Sequence, residues 1–259
     1  MKKKVAYVIN HISFFESHIL PLALETIKQG YDIKVFCGQG GSKEMEVNAR
    51  KVLKKNKINF KNIGFLPGET NLFYEFKSLI NFILELKKYN PHILHGISLK
   101  GVLYSCIYSR IFKVKKLICF ITGLGYFFTG KLKIYELFLK YLILSIIKFS
   151  LKSKNSLLII ENNEDKKFFI KKVKIEKSKI MLINGAGVNL KRFNSNKKKK
   201  NIVLFPARVL VEKGINEFLE SAKILSKKYP EWKFYIAGTL NYIKNQTVLI
   251  KKKNKKNIM

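Results

Sequence analysis

At 259 residues with 47% hydrophobic content, the chain has ample apolar material for a packed core, and its length suits one large domain or two small ones. That composition excludes a disordered chain. The formal charge of +34 would attract phosphates, yet only Arg50, Arg110, Arg192 and Arg208 are arginine among 51 basic residues. The lysines run along the whole length, mixed with Asn, Ile, Phe and Tyr, so they read as solvated faces and no specific nucleic acid is expected. An anionic membrane leaflet is the partner that such a charge would suit if it does meet a surface.

Cys37, Cys106 and Cys119 lie far apart in sequence without the paired spacing of a zinc site or a redox couple, which fits a reducing cytosol. The opening MKKKVAYVIN is too short in its apolar part for a signal peptide and reads as a first strand. The most membrane-like stretch, 132–151, is interrupted by Lys133, Glu136, Lys140 and Lys148, so it is expected to form a buried amphipathic helix, with contact to a bilayer surface as the alternative. A cytoplasmic location follows, with peripheral attachment to the inner face of the plasma membrane as the variant of that expectation.

In chain order, a strand over 4–10 precedes a helix over 16–29, where Ile19, Leu22, Ala23 and Ile27 line one face and Gly30 supplies the stop. A strand at 32–37, a helix at 43–56 and a strand at 59–63 follow; then a helix at 72–89 ended by Pro91, a strand at 93–97, a helix at 100–112 and a strand at 117–121. The series closes with a helix at 133–152, a strand at 156–160, a helix at 164–172 and a strand at 180–183. Strands so uniformly apolar belong to a parallel sheet covered on both faces, so residues 1–195 are expected to form one doubly wound domain.

Asn184 to Val188 reads as a Gly-containing turn and 197–200 as a basic linker. A second unit, 196–259, opens with a strand at 201–207, a helix at 215–228 carrying Ile215, Phe218, Leu219, Ala222 and Leu225 as a core stripe, and a strand at 232–237. Residues 251–259 are a lysine and asparagine tail with nothing to bury. A β-α-β unit of this size is at the margin of independent stability.

The sharpest local signal is FPARVLVEKGINEFLESAKIL over 205–225. Ligands of open α/β sheets bind outside the carboxyl ends of the strands, and Arg208 comes just past such an end. Lys213 and Gly214 open the next helix, whose free amides favour a phosphate. A guanidinium and an ammonium five residues apart there make a clamp for a diphosphate, and the fixed charge would stabilise a leaving nucleoside diphosphate as its bond to a sugar breaks. A surface Arg and Lys in an ordinary turn is the other reading of the same residues.

These residues resemble the R-x4-K-G element that opens the donor domain of family 4 glycosyltransferases, and INGAGVNLKRFN (183–194) is similar to the family's G-x-G-V-D-x-x-x-F segment, with Asn189 where Asp is usual. ESHILPLALETIKQGYDIKVF (16–36), PHILHGISLKG (91–101), ITGLGYFFTG (121–130) and IIENNED (159–165) match further segments in the same order. The resemblance implies an α/β, GT-B-like architecture: a nearly complete N-terminal Rossmann-like doubly wound domain on the acceptor side, and the first β-α-β of a second, donor-binding one. It implies transfer, with retention and without a metal or other cofactor, of a hexose or acetamidohexose from a nucleotide-diphosphate sugar to a lipid-linked or oligosaccharide acceptor, as in capsule and lipopolysaccharide synthesis. Arg208, Lys213 and Gly214 match the donor-binding residues. Ser17 and His18, at the first strand-to-helix turn, and Thr122, Gly123 and Gly125 are the acceptor or cleft candidates. Thr122-Gly123 stands where many members carry His-Gly. Ser17 as a plain helix cap, His18 as a solvated side chain and the two glycines as turn formers are the competing readings.

Other patterns carry less. His92 and His95 are three apart on a strand and point to opposite faces, so no shared metal is expected. Gly38, Gly40 and Gly41 follow the second strand and form no dinucleotide fingerprint. Glu212 and Glu220 have the spacing of the family's E-x7-E motif but straddle the wrong helix; that motif falls later in the family, and the sequence stops before it. The resemblance therefore leads to the expectation of a C-terminally truncated enzyme, inactive alone or completed by a complementing C-terminal half. The alternatives are a basic adaptor at membrane or nucleic acid that retains the fold without activity, and a sugar-nucleotide epimerase, which the Gly-Leu-Gly-Tyr and R-x4-K-G segments disfavour.

Overall fold

Residues 4–11 read KVAYVINH, apolar toward both faces, and form a central strand, as a run covered on both sides should. A computed structural model describes residues 2–40, 42–65, 72–124, 133–185, 187, 190, 199–207, 209 and 211–238. Two compact units divide at Met1–Val188 and Asn189–Met259. The boundary expected at 195/196 falls outside the described residues.

The first unit runs β1 (Lys4–His11), α1 (Ile12–Phe14), a π-helical segment Phe15–Ile19, α2 (Leu20–Lys28), β2 (Asp32–Gly38), α3 (Lys43–Lys55) and β3 (Asn59–Asn62). It continues with α4 (Leu72–Tyr89), β4 (Ile93–Ile97), α5 (Ser98–Ile111), β5 (Lys116–Ile121), α6 (Ile134–Leu151), β6 (Ser156–Ile160), α7 (Asn163–Lys171) and β7 (Ile180–Leu182). The seven strands are parallel in the order β3-β2-β1-β4-β5-β6-β7, so the winding reverses between β1 and β4. This is the Rossmann order extended by one strand, and the reversal marks the crevice where such sheets hold ligands.

Strand alternation splits the core in two. Ala6, Val8, Leu94, Cys119 and Leu158 face the side packed by Phe82 of α4, Tyr104 and Tyr108 of α5 and Ile147 of α6. Val5, Tyr7, Ile9, Val35 and Cys37 face Ile12, Phe15, Ile19, Ala49 and Leu53 from the helices after β1 and β2. Helix α5 seats close to the sheet because its own and its neighbour's glycines permit it: a Cβ on Gly101 would stand 2.4 Å from the Val8 carbonyl oxygen, and one on Gly96 2.7 Å from the Gly101 carbonyl. The same close packing brings together two cysteines that sequence separation kept apart. The buried Sγ atoms of Cys106 and Cys119 lie 3.7 Å from each other, unbonded.

Helix α6 departs from the amphipathic pattern expected of it. Its inner side buries Ile143, Leu144, Ile147 and Leu151, yet its outer side is apolar as well, with Ile134, Phe138 and Tyr141 exposed. Among the described residues no helix is long and apolar enough to cross a membrane.

In the second unit β8 (Ile202–Phe205) pairs in parallel with β9 (Lys233–Ile236), and α8 (Ile215–Lys228) connects them as the crossover. A small core of Phe205, Val209 and Ile215, with Phe218 and Leu219 against it, holds the helix to the strands.

Candidate functional site

The carboxyl ends of β1, β4, β5 and β6 lie side by side across the point of reversal. The helix expected to begin at residue 16 starts four residues earlier. His11 is its N-cap: in extended conformation, its Nδ1 accepts from the Phe14 amide at 3.3 Å and lies 2.9 Å from Ser13 Oγ. Sequence reasoning passed over His11 because histidine is an uncommon cap, and it assigned capping to Ser17 as the alternative to a cleft role. Ser17 is no cap. Its hydroxyl donates to the Ser13 carbonyl at 2.9 Å, four residues back.

Ser17 and His18 sit instead inside the π-helical turn. Pro21, in the first turn of α2, has no amide to donate four residues back, and the preceding turn widens so that the Leu20 amide reaches the Phe15 carbonyl. Widening turns Ser17 and His18 outward, where both are exposed. Phe14 stacks on the His18 ring at 4.3 Å, and His18 Nδ1 lies 2.7 Å from Ser17 Oγ. Since the Ser17 proton is directed at the Ser13 carbonyl, the short contact is best made with Nδ1 donating, which leaves Nε2 to meet a hydroxyl.

Glu161 follows β6 directly and escaped notice although its segment was matched. Burial raises its carboxyl above the ordinary range, the His18 imidazole opposes that rise and Asp165 adds to it. That influence puts the loop after β6 near the loop after β1. Asn162 next to it caps α7, accepting from the Asp165 amide at 2.7 Å and donating to its carboxylate at 3.0 Å. Between them, at the end of β5, Thr122 is half-buried and Gly123 is exposed with φ +143° and open space where a side chain would be. Ser98, at the end of β4, also adopts a positive φ, +64°, an uncommon conformation for a residue other than glycine. Gly125 lies outside the described residues.

His92 and His95 do point apart. His92 Nδ1 accepts from the Lys4 amide at 3.2 Å, whereas His95 is buried between Tyr7 and Phe120, with ring centroids 5.2 Å and 6.3 Å away. Among the described residues no group of three or more His, Cys, Asp or Glu is arranged to hold a metal ion. A shallow hollow lined by Lys115, Lys116, Lys154 and Lys179 opens at the opposite, amino ends of the strands. There Lys179 donates to the carbonyls of Ser153 and Lys154.

In the second unit, Arg208 lies outside the described residues. Val209 is buried, a short 3-10 turn Val211–Lys213 follows, and Lys213 is exposed at its end. Gly214 precedes α8 with φ +78°, in the left-handed region that a side chain disfavours, and its carbonyl accepts from the Phe218 amide at 3.0 Å. The N-cap itself, a glycine, has no side chain to offer this terminus, and the Lys213 ammonium is on the preceding residue. Glu217 in the first turn offers the competing charge: its Oε2 would be 3.6 Å from a Cβ at position 214.

Comparison with known proteins adds three findings. The solved glycosyltransferase from Rickettsia africae ESF-5 superposes with a TM-score of 0.62 at 19% identity, over 93% of this chain and 61% of that one. Sucrose-phosphate synthase from Thermosynechococcus elongatus gives a TM-score of 0.62 at 14% identity over 93% and 63%, and the UDP-GlcNAc 2-epimerase from Neisseria meningitidis bound to UDP-GlcNAc gives 0.56 at 16% over 92% and 66%. Identities so low establish the fold, a GT-B arrangement of a Rossmann-like domain and the start of a second, without choosing between transfer and epimerisation. In sequence, the chain is 27% identical over 179 residues to the N,N'-diacetylbacillosaminyl-diphospho-undecaprenol alpha-1,3-N-acetylgalactosaminyltransferase of Campylobacter jejuni, covering 63% of this chain and 47% of the relative. It therefore spans about half of that relative's length. Residues 188–258 match the family described as glycosyl transferases group 1. With residues 4–162 matching the family described as Glycosyl transferase 4-like, from β1 through the Glu161-Asn162 pair, the chain belongs to the glycosyl transferase 4-like family.

Proposed function

We propose that the chain provides the acceptor-side domain and the phosphate-gripping start of the donor domain for a retaining glycosyltransferase. The donor is a nucleotide-diphosphate sugar carrying a hexose or acetamidohexose, and the acceptor is a lipid-linked or growing surface oligosaccharide. The observation that carries this reading is the succession of the two family matches in one chain, with Lys213 and Gly214 at the start of α8 inside the second. The named sugar and the diphospho-undecaprenol carrier of the Campylobacter relative favour an acetamidohexose and a polyprenyl diphosphate.

In this reading Arg208 and Lys213 hold the two phosphates and the amides after Gly214 complete the cradle. As the bond from the anomeric carbon to the diphosphate oxygen breaks, charge gathers on that oxygen and the fixed cations stabilise it. Ser17, His18, Thr122, Gly123, Gly125 and Glu161 seat the acceptor. His18 Nε2 hydrogen-bonds a sugar hydroxyl and Glu161, protonated more readily than a free carboxyl, either donates or accepts. Because the chain spans about half of the relative, complete transfer is assigned to the full donor domain, and only phosphate gripping and acceptor seating to these residues.

Calorimetric titration of the chain with UDP-N-acetylhexosamine, UDP-hexose and the corresponding nucleoside monophosphate tests the reading. Both diphosphates are expected to bind, the monophosphate far more weakly, and Lys213→Ala to weaken diphosphate binding about tenfold, the loss of one charge-assisted contact. Equal binding of mono- and diphosphate, or affinity untouched by Lys213→Ala, would contradict it.

A further inference from the structure

At the amino ends of β5, β6 and β7, three segments well separated in sequence meet around one hollow of about 530 Å³. Lys115 and Lys116 line it from the start of β5, Lys154 from the turn between α6 and β6, and Lys179 from the 3-10 turn Lys177–Lys179 that leads into β7. The parallel register sets these starts side by side, since Leu117 pairs with Ser156 and Leu158 with Ile180. The volume falls within the roughly 300–1,000 Å³ in which proteins seat small molecules. A smaller recess of about 230 Å³ adjoins it through Asn155 and adds Arg110 and Lys113 to the same end of the sheet.

The wall is organised by the fold itself. Lys179 Nζ donates to the carbonyls of Ser153 at 2.7 Å and Lys154 at 2.9 Å, which holds its charge in place and leaves one of its three N–H donors uncommitted. The buried Ser156 hydroxyl lies 2.9 Å from the Leu151 carbonyl and 2.6 Å from that of Ser153, and so fixes the turn that carries Lys154. Among the described residues none that lines the hollow is acidic, and Glu176, the nearest carboxylate along the chain, accepts from the Ser178 hydroxyl at 3.4 Å. Four ammonium groups around one concavity repel one another and focus a positive potential, which favours an occupant that packs several negative charges into a small volume. Leu157 is the one apolar residue of the lining. A nucleic acid would find no aromatic ring there to stack on, and a bilayer no apolar anchor to bury.

We propose that this hollow is a binding site for a soluble condensed phosphate, a short chain of phosphoryl groups held by Lys115, Lys116, Lys154 and Lys179. It opens at the other end of the sheet from Ser17, His18 and Thr122, and binding there needs neither sugar donor nor acceptor, so it stands or falls apart from the proposed transfer.

Limited acetylation of the full wild-type chain, read by mass spectrometry with and without inorganic triphosphate at about 0.15 M salt, tests it without any substitution. Triphosphate is expected to slow acetylation of Lys115, Lys116 and Lys154 several-fold, while Lys51 and Lys55, exposed on α3, react as before. Calorimetry in a Lys213→Ala background, where the donor clamp is weakened, supplies the second measurement. There Lys116→Ala with Lys154→Ala should weaken triphosphate binding about tenfold or more, whereas Lys51→Ala with Lys55→Ala, the same change in net charge, should leave it as it was. With Lys213 intact, the Lys116 and Lys154 pair should not alter affinity for UDP-N-acetylhexosamine, which separates the hollow from the donor clamp. Absent protection, protection shared by Lys51 and Lys55, equal weakening by the two pairs, or monophosphate binding as tightly as triphosphate would each overturn the proposal. So would phosphatidylglycerol vesicles that shield the same lysines at equal phosphate concentration, since the ligand would then be a lipid surface.

Discussion

His95 illustrates how a single buried side chain makes stability depend on pH. It is buried with no hydrogen-bond partner at Nε2 among the described residues, and burial pushes its pKa down to about 4 from 6.5. The folded chain therefore resists a proton that the unfolded chain accepts. Stability from this residue is complete above pH 6.5 and falls as the pH drops toward 4. Urea midpoints of wild type and His95→Phe should run parallel above pH 7 and diverge between about 6.5 and 4, the wild type losing more; parallel curves throughout would exclude the effect. The residue-scale features of the site were read unevenly. Gly214 was legible as the start of a helix, since a glycine before an apolar periodic run marks a boundary. His11 and Glu161 were not, since neither a histidine cap nor a carboxyl warmed by burial leaves a mark in one sequence.

Among elements, α5 is the one whose packing leaves least room. A methyl at Gly101 would meet the Val8 carbonyl oxygen at 2.4 Å, and backbone on both sides cannot easily give way. Gly101→Ala is expected to lower unfolding free energy by about 2 kcal/mol, as overpacking of a core commonly does, measured by chemical denaturation. Gly123→Ala is its counterpart at the site. Open space surrounds that position but φ is +143°, so the cost should come from the backbone alone, about 1–2 kcal/mol, with the native-state spectrum otherwise retained. Element identity was largely legible because short, uniformly apolar runs alternate with period-3.6 segments from 4 to 183. What hid was local: the π-helical turn, which depends on one missing amide at Pro21, and the second apolar side of α4 and α6, which periodicity counts as core whether or not anything covers it.

For the molecule as a whole, the two units differ in how much they bury. The first has two extensive cores on either face of seven strands, and the second a core of Phe205, Val209 and Ile215 with a few supporting side chains. Amides of α8 should accordingly exchange with solvent through openings of much lower free energy than those of β1 and β4; equal protection would show a cooperative unit where none is expected. The doubly wound architecture was legible from strand composition. Donor chemistry rests on a different scale of evidence, a pair of cations five residues apart. A double-mutant cycle on nucleoside diphosphate affinity tests that pairing most directly. Arg208→Ala and Lys213→Ala should each weaken binding about tenfold, and together they should depart from additivity by at least about 0.5 kcal/mol, because both charges act on one diphosphate. Strict additivity, or either single variant binding as wild type does, would contradict the account.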